Sequence, residues 1–192
     1  MPRFAAALVC SAVAACSSAQ APATPHTWRV PDGWKHERIP FPLEFAPSLA
    51  HRGVEELRFP PGFLDAGAPN AWSYTFVWRL DDAAALDADT LADELAVYFR
   101  GLLASVDGDK HRLDPKQIAV TARAEGDRFE LTAHVIDTFH AAAPIDLIGS
   151  AIRDVCGSGA LWTFVLAPAG SPVRAQLDDL ANSTACDQQP VP

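Results

Sequence analysis

Basic residues are scarce in this sequence. Lys and Arg number 15 against 24 Asp and Glu, a formal net charge of −9, and no local cluster of Lys and Arg offsets it. A surface of that sign repels phosphate backbones, so nucleic acid is not an expected partner. Catalytic signatures are missing as well. There is no Gly-x-Ser-x-Gly elbow, no His-Glu-x-x-His pair and no glycine-rich phosphate loop after a strand. Motif-bearing hydrolases, zinc peptidases and nucleotide cofactors therefore find no support, and no cofactor is expected. Asp107-Gly108-Asp109 lacks the third acid, the position-six glycine and the terminal glutamate of a calcium loop, and reads as a turn. No internal repeat is visible. What remains is a chain of 192 residues, 49% hydrophobic and 20% charged, which is ordinary globular composition and length for one domain.

Long apolar runs are absent too. Phe4 to Ala15 is a run of twelve uncharged residues behind Arg3, which suits the apolar segment of a signal peptide and falls short of the roughly 20 residues of a bilayer span. Val13-Ala14-Ala15-Cys16 follows the pattern aliphatic, small, small, cysteine. It resembles the lipobox of bacterial lipoprotein precursors, and the resemblance implies cleavage before Cys16 and acylation of Cys16. Ser17 in place of Asp implies the outer membrane in that family where there are two membranes. Ordinary secretion is the alternative, because Ala19-Gln20-Ala21 offers a site for the general signal peptidase. Removal of residues 1–15 takes away one charge, Arg3, and leaves −10.

Four cysteines are present. Cys10 leaves with the signal and Cys16 is acylated or lost, so Cys156 and Cys186 remain. In an oxidising compartment an even remainder reads as one disulfide. Such a bridge closes a loop of about 31 residues and contributes roughly 3–4 kcal/mol in the chain-entropy model. Two buried thiols are the alternative.

Three segments follow: a signal peptide over 1–15, a tether over 16–27, and one globular domain over 28–192. The tether, SSAQAPATPHT after Cys16, has no large apolar residue and two prolines, and reaches up to about 30 Å at polyproline spacing. In the domain, Pro40, Pro42 and Pro47 forbid a helix before Pro60-Pro61-Gly62. Val54 to Phe59 reads as a strand. From Trp72 to Leu80 the large residues Trp72, Tyr74, Phe76, Trp78 and Leu80 alternate with Ser73, Thr75 and Arg79, the period of a strand with one wet face. Asp89 to Val106 carries a helical stripe from Leu91 through Leu95, Tyr98 and Leu102, with a capping box expected at Thr90 and Asp93. Gln117 to Asp137 reads as a hairpin turning at Glu125-Gly126-Asp127. The segment 144–155 admits helix or strand, and a strand is chosen because Gly149-Ser150 disfavours a helix. Gly157-Ser158-Gly159 then suits a hairpin into Leu161 to Leu166. Ser171 as cap and Pro172 at the first helical position open a final helix running to Ser183. The expected fold is α+β: about seven mainly antiparallel strands in the order βββαββββα, with both helices packed on one face.

The stretches Arg38–Pro47, His51–Phe63 and Ser73–Trp78, with a terminal pattern running from Leu161–Pro168 through Ser171-Pro172-Val173, Leu177 and Leu180 to Cys186, resemble secreted bacterial domains to which no activity is attached. The resemblance covers most of the mature chain and implies no site.

Candidate sites stay weak by pattern. His134, Asp137 and His140 do not converge in a straight strand, where Asp137 points away and the histidines lie about 20 Å apart, so two solvated histidines are expected and no metal. His51, Arg52, Glu55 and Glu56 form the densest polar cluster and read as a charged strand surface. The rings of Trp72, Tyr74, Phe76 and Trp78 read as core beneath the helices, with a ligand platform as the alternative. Two function classes stay open. One is an envelope module, anchored to the membrane through Cys16, that binds another envelope protein or a small ligand without catalysis. The other is a small hydrolase whose histidines meet only in the fold, which a histidine–carboxylate approach in a cleft would favour.

Overall fold

The computed structural model describes residues 27–108, 113–140 and 142–188. The expected signal peptide, Cys16 and the expected tether up to His26 lie outside the described residues. The elements run β1 (Lys35–Pro40), β2 (Gly53–Phe59), β3 (Tyr74–Leu80), α1 (Ala88–Asp107), β4 (Ala119–Glu125), β5 (Arg128–Ile136), β6 (Pro144–Cys156), β7 (Gly159–Pro168) and α2 (Arg174–Ala181). They build one seven-stranded sheet in the order β1-β2-β3-β7-β6-β5-β4, with every neighbouring pair antiparallel. The α+β class and the element order agree with the sequence expectation, and residues 144–156 form a strand. Gly149 sits in that strand because a Cβ there would collide with the Val165 carbonyl oxygen of β7.

The topology explains the burial. After β3 the chain crosses through α1 to the far edge, and three hairpins bring it back so that β7 pairs with β3 at the centre. These two central strands are buried on both faces. On one face Phe76 lies directly opposite Phe164 and Trp78 opposite Trp162. Tyr98 of α1 stacks over Phe76 with ring centroids 5.8 Å apart. Leu91, Leu95, Phe99 and Leu103 bury the rest of the helical stripe in the same core.

The second helix does not join the first. Val173, Leu177 and Ala181 pack on Val165 and Ala167, and Leu180 packs with Trp28, Val77 and Leu161. These sheet residues alternate with Phe76, Trp78 and Phe164, so α2 covers the reverse face. The expectation that both helices share one face is therefore corrected. The physical reason lies in Ser73 and Thr75, which read as wet but are fully buried. The Thr75 hydroxyl donates to the Phe164 carbonyl at 2.7 Å, and the Ser73 and Ser171 hydroxyls bond at 2.8 Å. Short hydroxyls satisfied in this way can lie under a helix without an orphaned group.

Two caps also differ. Asp87 caps α1 by accepting from the Thr90 backbone N–H at 2.8 Å, in place of the expected capping box. Ser171 bonds Ser73 and does not cap α2, which begins at Arg174 without a side-chain cap. Cys156 and Cys186 form a disulfide with Cα atoms 5.2 Å apart, tying the segment after α2 to the end of β6.

Candidate functional site

The sheet is wider than α1 can cover. Beyond Tyr98 and Leu102 of α1, the β1–β3 end of the α1 face is roofed by Phe45, the Pro60–Asp65 loop, Trp72 and Phe139. Between roof and sheet lies a cavity of about 510 Å³, within the range that takes a drug-sized ligand. Its sheet wall is Ile39 of β1, Leu57 and Phe59 of β2 and Tyr74 of β3. Seven aromatic side chains line it, among them Phe59 and Phe63 with centroids 4.5 Å apart and Trp72 and Phe139 at 5.1 Å. Gly101 lets the roof close, because a Cβ there would collide with the Phe45 carbonyl oxygen.

The expected aromatic stripe divides here. Trp72 and Tyr74 line the cavity, whereas Phe76 and Trp78 are fully buried core that does not. Trp72 lies outside β3, at φ 57°. A bulky residue in that left-handed region costs about 1–3 kcal/mol and persists only where its surroundings fix it. The indole nitrogen of Trp72 donates to Asp137 Oδ1 at 2.9 Å. The same carboxylate oxygen accepts from the Phe139 and His140 backbone N–H groups at 3.1 and 3.2 Å.

His140 completes this clamp on the rim. Its Nδ1 lies 3.1 Å from Asp137 Oδ1 and its Nε2 faces the Leu64 carbonyl oxygen. Both ring nitrogens meet acceptors, so both interactions are hydrogen bonds only when the ring is protonated. The Leu64 bond first, and then the Asp137 charge, raise its pKa above the usual histidine value. The side chain is only 17% exposed. The expectation of two solvated histidines thus holds for neither unchanged: His140 is a structural clasp, and His134, near the end of β5, is half exposed and bonds Asp146 at 2.6 Å. Among the described residues no trio of His, Cys, Asp or Glu is placed to hold a metal ion.

The reading of Glu55 and Glu56 as a strand surface is corrected most strongly, since both are fully buried, one on each face of β2. Glu55 lies under α1 behind the cavity wall, paired across the sheet with Ile39 on one side and Trp78 on the other. Its Oε1 accepts from the Trp78 indole at 3.0 Å, and its Oε2 has no hydrogen-bond partner. Burial pushes the Glu55 pKa up to about 8, with the Trp78 indole and the nearby Tyr98 hydroxyl opposing the shift and Glu37 adding to it. At pH 7 this carboxyl keeps its proton. Burial also raises the Tyr74 and Tyr98 hydroxyls above the ordinary tyrosine value. Glu56 points to the α2 face, where Arg79 Nε reaches its Oε2 at 3.2 Å and Arg58 its Oε1 at 3.4 Å. The Arg58 guanidinium also donates to the Trp28 and Arg29 carbonyls at 2.9 and 3.1 Å and lies 4.1 Å over the Trp28 ring.

A third histidine, His51, bonds Glu94 of α1 at 2.9 Å, which raises its pKa, and its ring lies 6.0 Å from Trp78. Among the described residues three histidine–carboxylate approaches therefore exist. Only the His140 pair borders the cavity, and there neither nitrogen is left to act as a base. Among the described residues, none of the hydrogen bonds to these imidazoles comes from a serine, threonine or cysteine side chain. Sequence reasoning missed the cavity because its wall is assembled from six separate stretches of chain. The one local signal was the density of rings in Phe59–Phe63 and Trp72–Tyr74. No family model, curated protein or solved structure matches the chain.

Proposed function

We propose that the chain is an exported cell-envelope protein, anchored through lipid on Cys16, whose domain binds a small apolar ligand without transforming it. The observation that carries the binding reading is the cavity of about 510 Å³ under the roof of Phe45, Phe63, Trp72 and Phe139. Cores pack to crystal-like density, and voids larger than a water molecule are few. A space of this size, enclosed by rings and opening at Lys35, Glu37 and Asp65, is what a binding site offers. The occupation of both His140 nitrogens supports binding over hydrolysis at this site. The anchoring part rests on Val13-Ala14-Ala15-Cys16.

A neutral apolar dye such as Nile red tests the cavity. It should bind the folded protein saturably at one site, and Leu102→Trp, which fills the space from α1, should remove that binding while the melting transition persists. Non-saturable binding, or binding unchanged in the variant, refutes the cavity as the site. For the anchor, wild type expressed in a bacterium should incorporate labelled fatty acid and Cys16→Ala should not. Unacylated wild type in the soluble fraction would replace anchoring with free secretion.

A further inference from the structure

Resting on that binding reading, we infer that the cavity selects a hydrophobic amine: an apolar, ring-sized body carrying one ammonium group. The argument starts from the sign of the charges at the opening. The described lining residues include three charged side chains, Lys35, Glu37 and Asp65, so acids exceed bases. All three are exposed and none of them forms a salt bridge within the described chain. Beside them the His140 clasp adds one imidazole against the Asp137 carboxylate and does not reverse that sign. No arginine or lysine stands deeper in the lining. An anion entering would meet a net negative rim and find no cation inside to replace its lost water, which is the costly case for a buried charge.

The interior favours the opposite sign. Its walls are π-rich, with seven rings around one space, and aromatic faces attract ammonium groups most strongly where water is excluded. Tyr74 and Tyr98 add hydroxyls that can accept from an N–H donor. Behind Tyr98 stands Glu55, fully buried, with one carboxyl oxygen that has no partner. An ammonium in the cavity would favour the ionised form of that carboxyl. A neutral alcohol of the same shape would keep the apolar contacts and lose each of these electrostatic gains. Glu37 directs the selection from the rim: it lies opposite Leu57 in the β1–β2 register, on the strand face that forms the wall.

Isothermal titration of the full chain at pH 7 with three isosteres, naphthylmethylamine, naphthylmethanol and naphthoate, tests this directly. The amine should bind about threefold more tightly than the alcohol and about tenfold or more above the carboxylate. Glu37→Gln, an exposed substitution, should shrink the amine-to-alcohol ratio. Equal binding of amine and alcohol, or tightest binding of the carboxylate, overturns the amine preference and leaves the cavity reading in place. A preference untouched by Glu37→Gln overturns the assigned rim electrostatics. Binding of none of the three at millimolar concentration removes the cavity reading together with this inference.

Discussion

Glu55 and Glu56 are chain neighbours, equally buried, and stabilised in opposite ways. Glu56 on the α2 face lies between the guanidinium groups of Arg58 and Arg79. Glu55 on the α1 face has an indole donor and no cation, and it is held neutral at pH 7 by burial. The contrast extends to the two faces. The α2 face is closed by paired polar groups: Ser73 with Ser171, Thr163 with Thr184, Arg79 with the Ala185 carbonyl. The α1 face relies on ring packing and remains open at one end, as the cavity. A sheet face sealed by directed bonds leaves little room for a ligand, whereas one covered by side chains of variable size can leave a space.

The largest expected effect comes from breaking the α1 face at its centre. Phe76 is fully buried and stacks on Phe164 at 4.4 Å, so Phe76→Ala should destabilise by about 3–5 kcal/mol in urea unfolding. A fully stable variant would show that these rings are not the core. On the other face, Cys186→Ser releases the segment held to β6. It should cost roughly 3 kcal/mol and lower Tm by several degrees. An unchanged melt would mean that the α2 face needs no covalent tie. Next, Glu56→Gln breaks the ion pairs with Arg58 and Arg79 and should cost about 1.5–3 kcal/mol in urea unfolding.

Glu55→Gln gives the sharpest contrast, because its effect depends on pH. In the unfolded chain Glu55 titrates near 4.5, and in the native state it titrates at about 8. Between those values the native state holds a proton that the unfolded chain has lost, so this residue lowers stability progressively as pH rises from 4.5 to 8. Below 4.5 both states are protonated and the effect vanishes. The variant should therefore match wild type in acid and gain on it toward pH 8, by several kcal/mol at about 1.4 per pH unit crossed. Parallel stability–pH curves for the two proteins would contradict a neutral buried Glu55.

Much of the fold could be read from local pattern, and the faces could not. The alternation Tyr74, Phe76, Trp78 and the stripe Leu91, Leu95, Tyr98 each report their own period, and Gly126-Asp127 marks its own turn. What covers the second face of β3 is a different kind of information. Ser73, Thr75, Glu55 and Glu56 look like surface residues until their partners are known, and those partners, Ser171, Phe164, Trp78 and Arg79, lie 23 to 98 residues away. Trp72 escaped for a related reason. Its ring continues the alternation, while its backbone leaves the strand at positive φ to meet Asp137 across the roof. Of the candidate site, only the local ring density was legible, because an empty space leaves no mark on any one segment.

The docking of Trp28 has a mechanical consequence. A pull arriving along the chain from its N-terminal side meets Trp28 before it meets β1. Trp28 is fastened at two points: its carbonyl to Arg58 in β2, and its indole nitrogen to the Leu180 carbonyl of α2 at 3.0 Å. Load therefore enters the middle of the molecule, and several bonds must yield together before the edge strand feels it. Peeling β1 away bond by bond, the low-force route for an edge, is bypassed. The strand that supplies Lys35, Glu37 and Ile39 to the cavity is thereby insulated from tension applied from the N-terminal side, and the site keeps its shape under such a load.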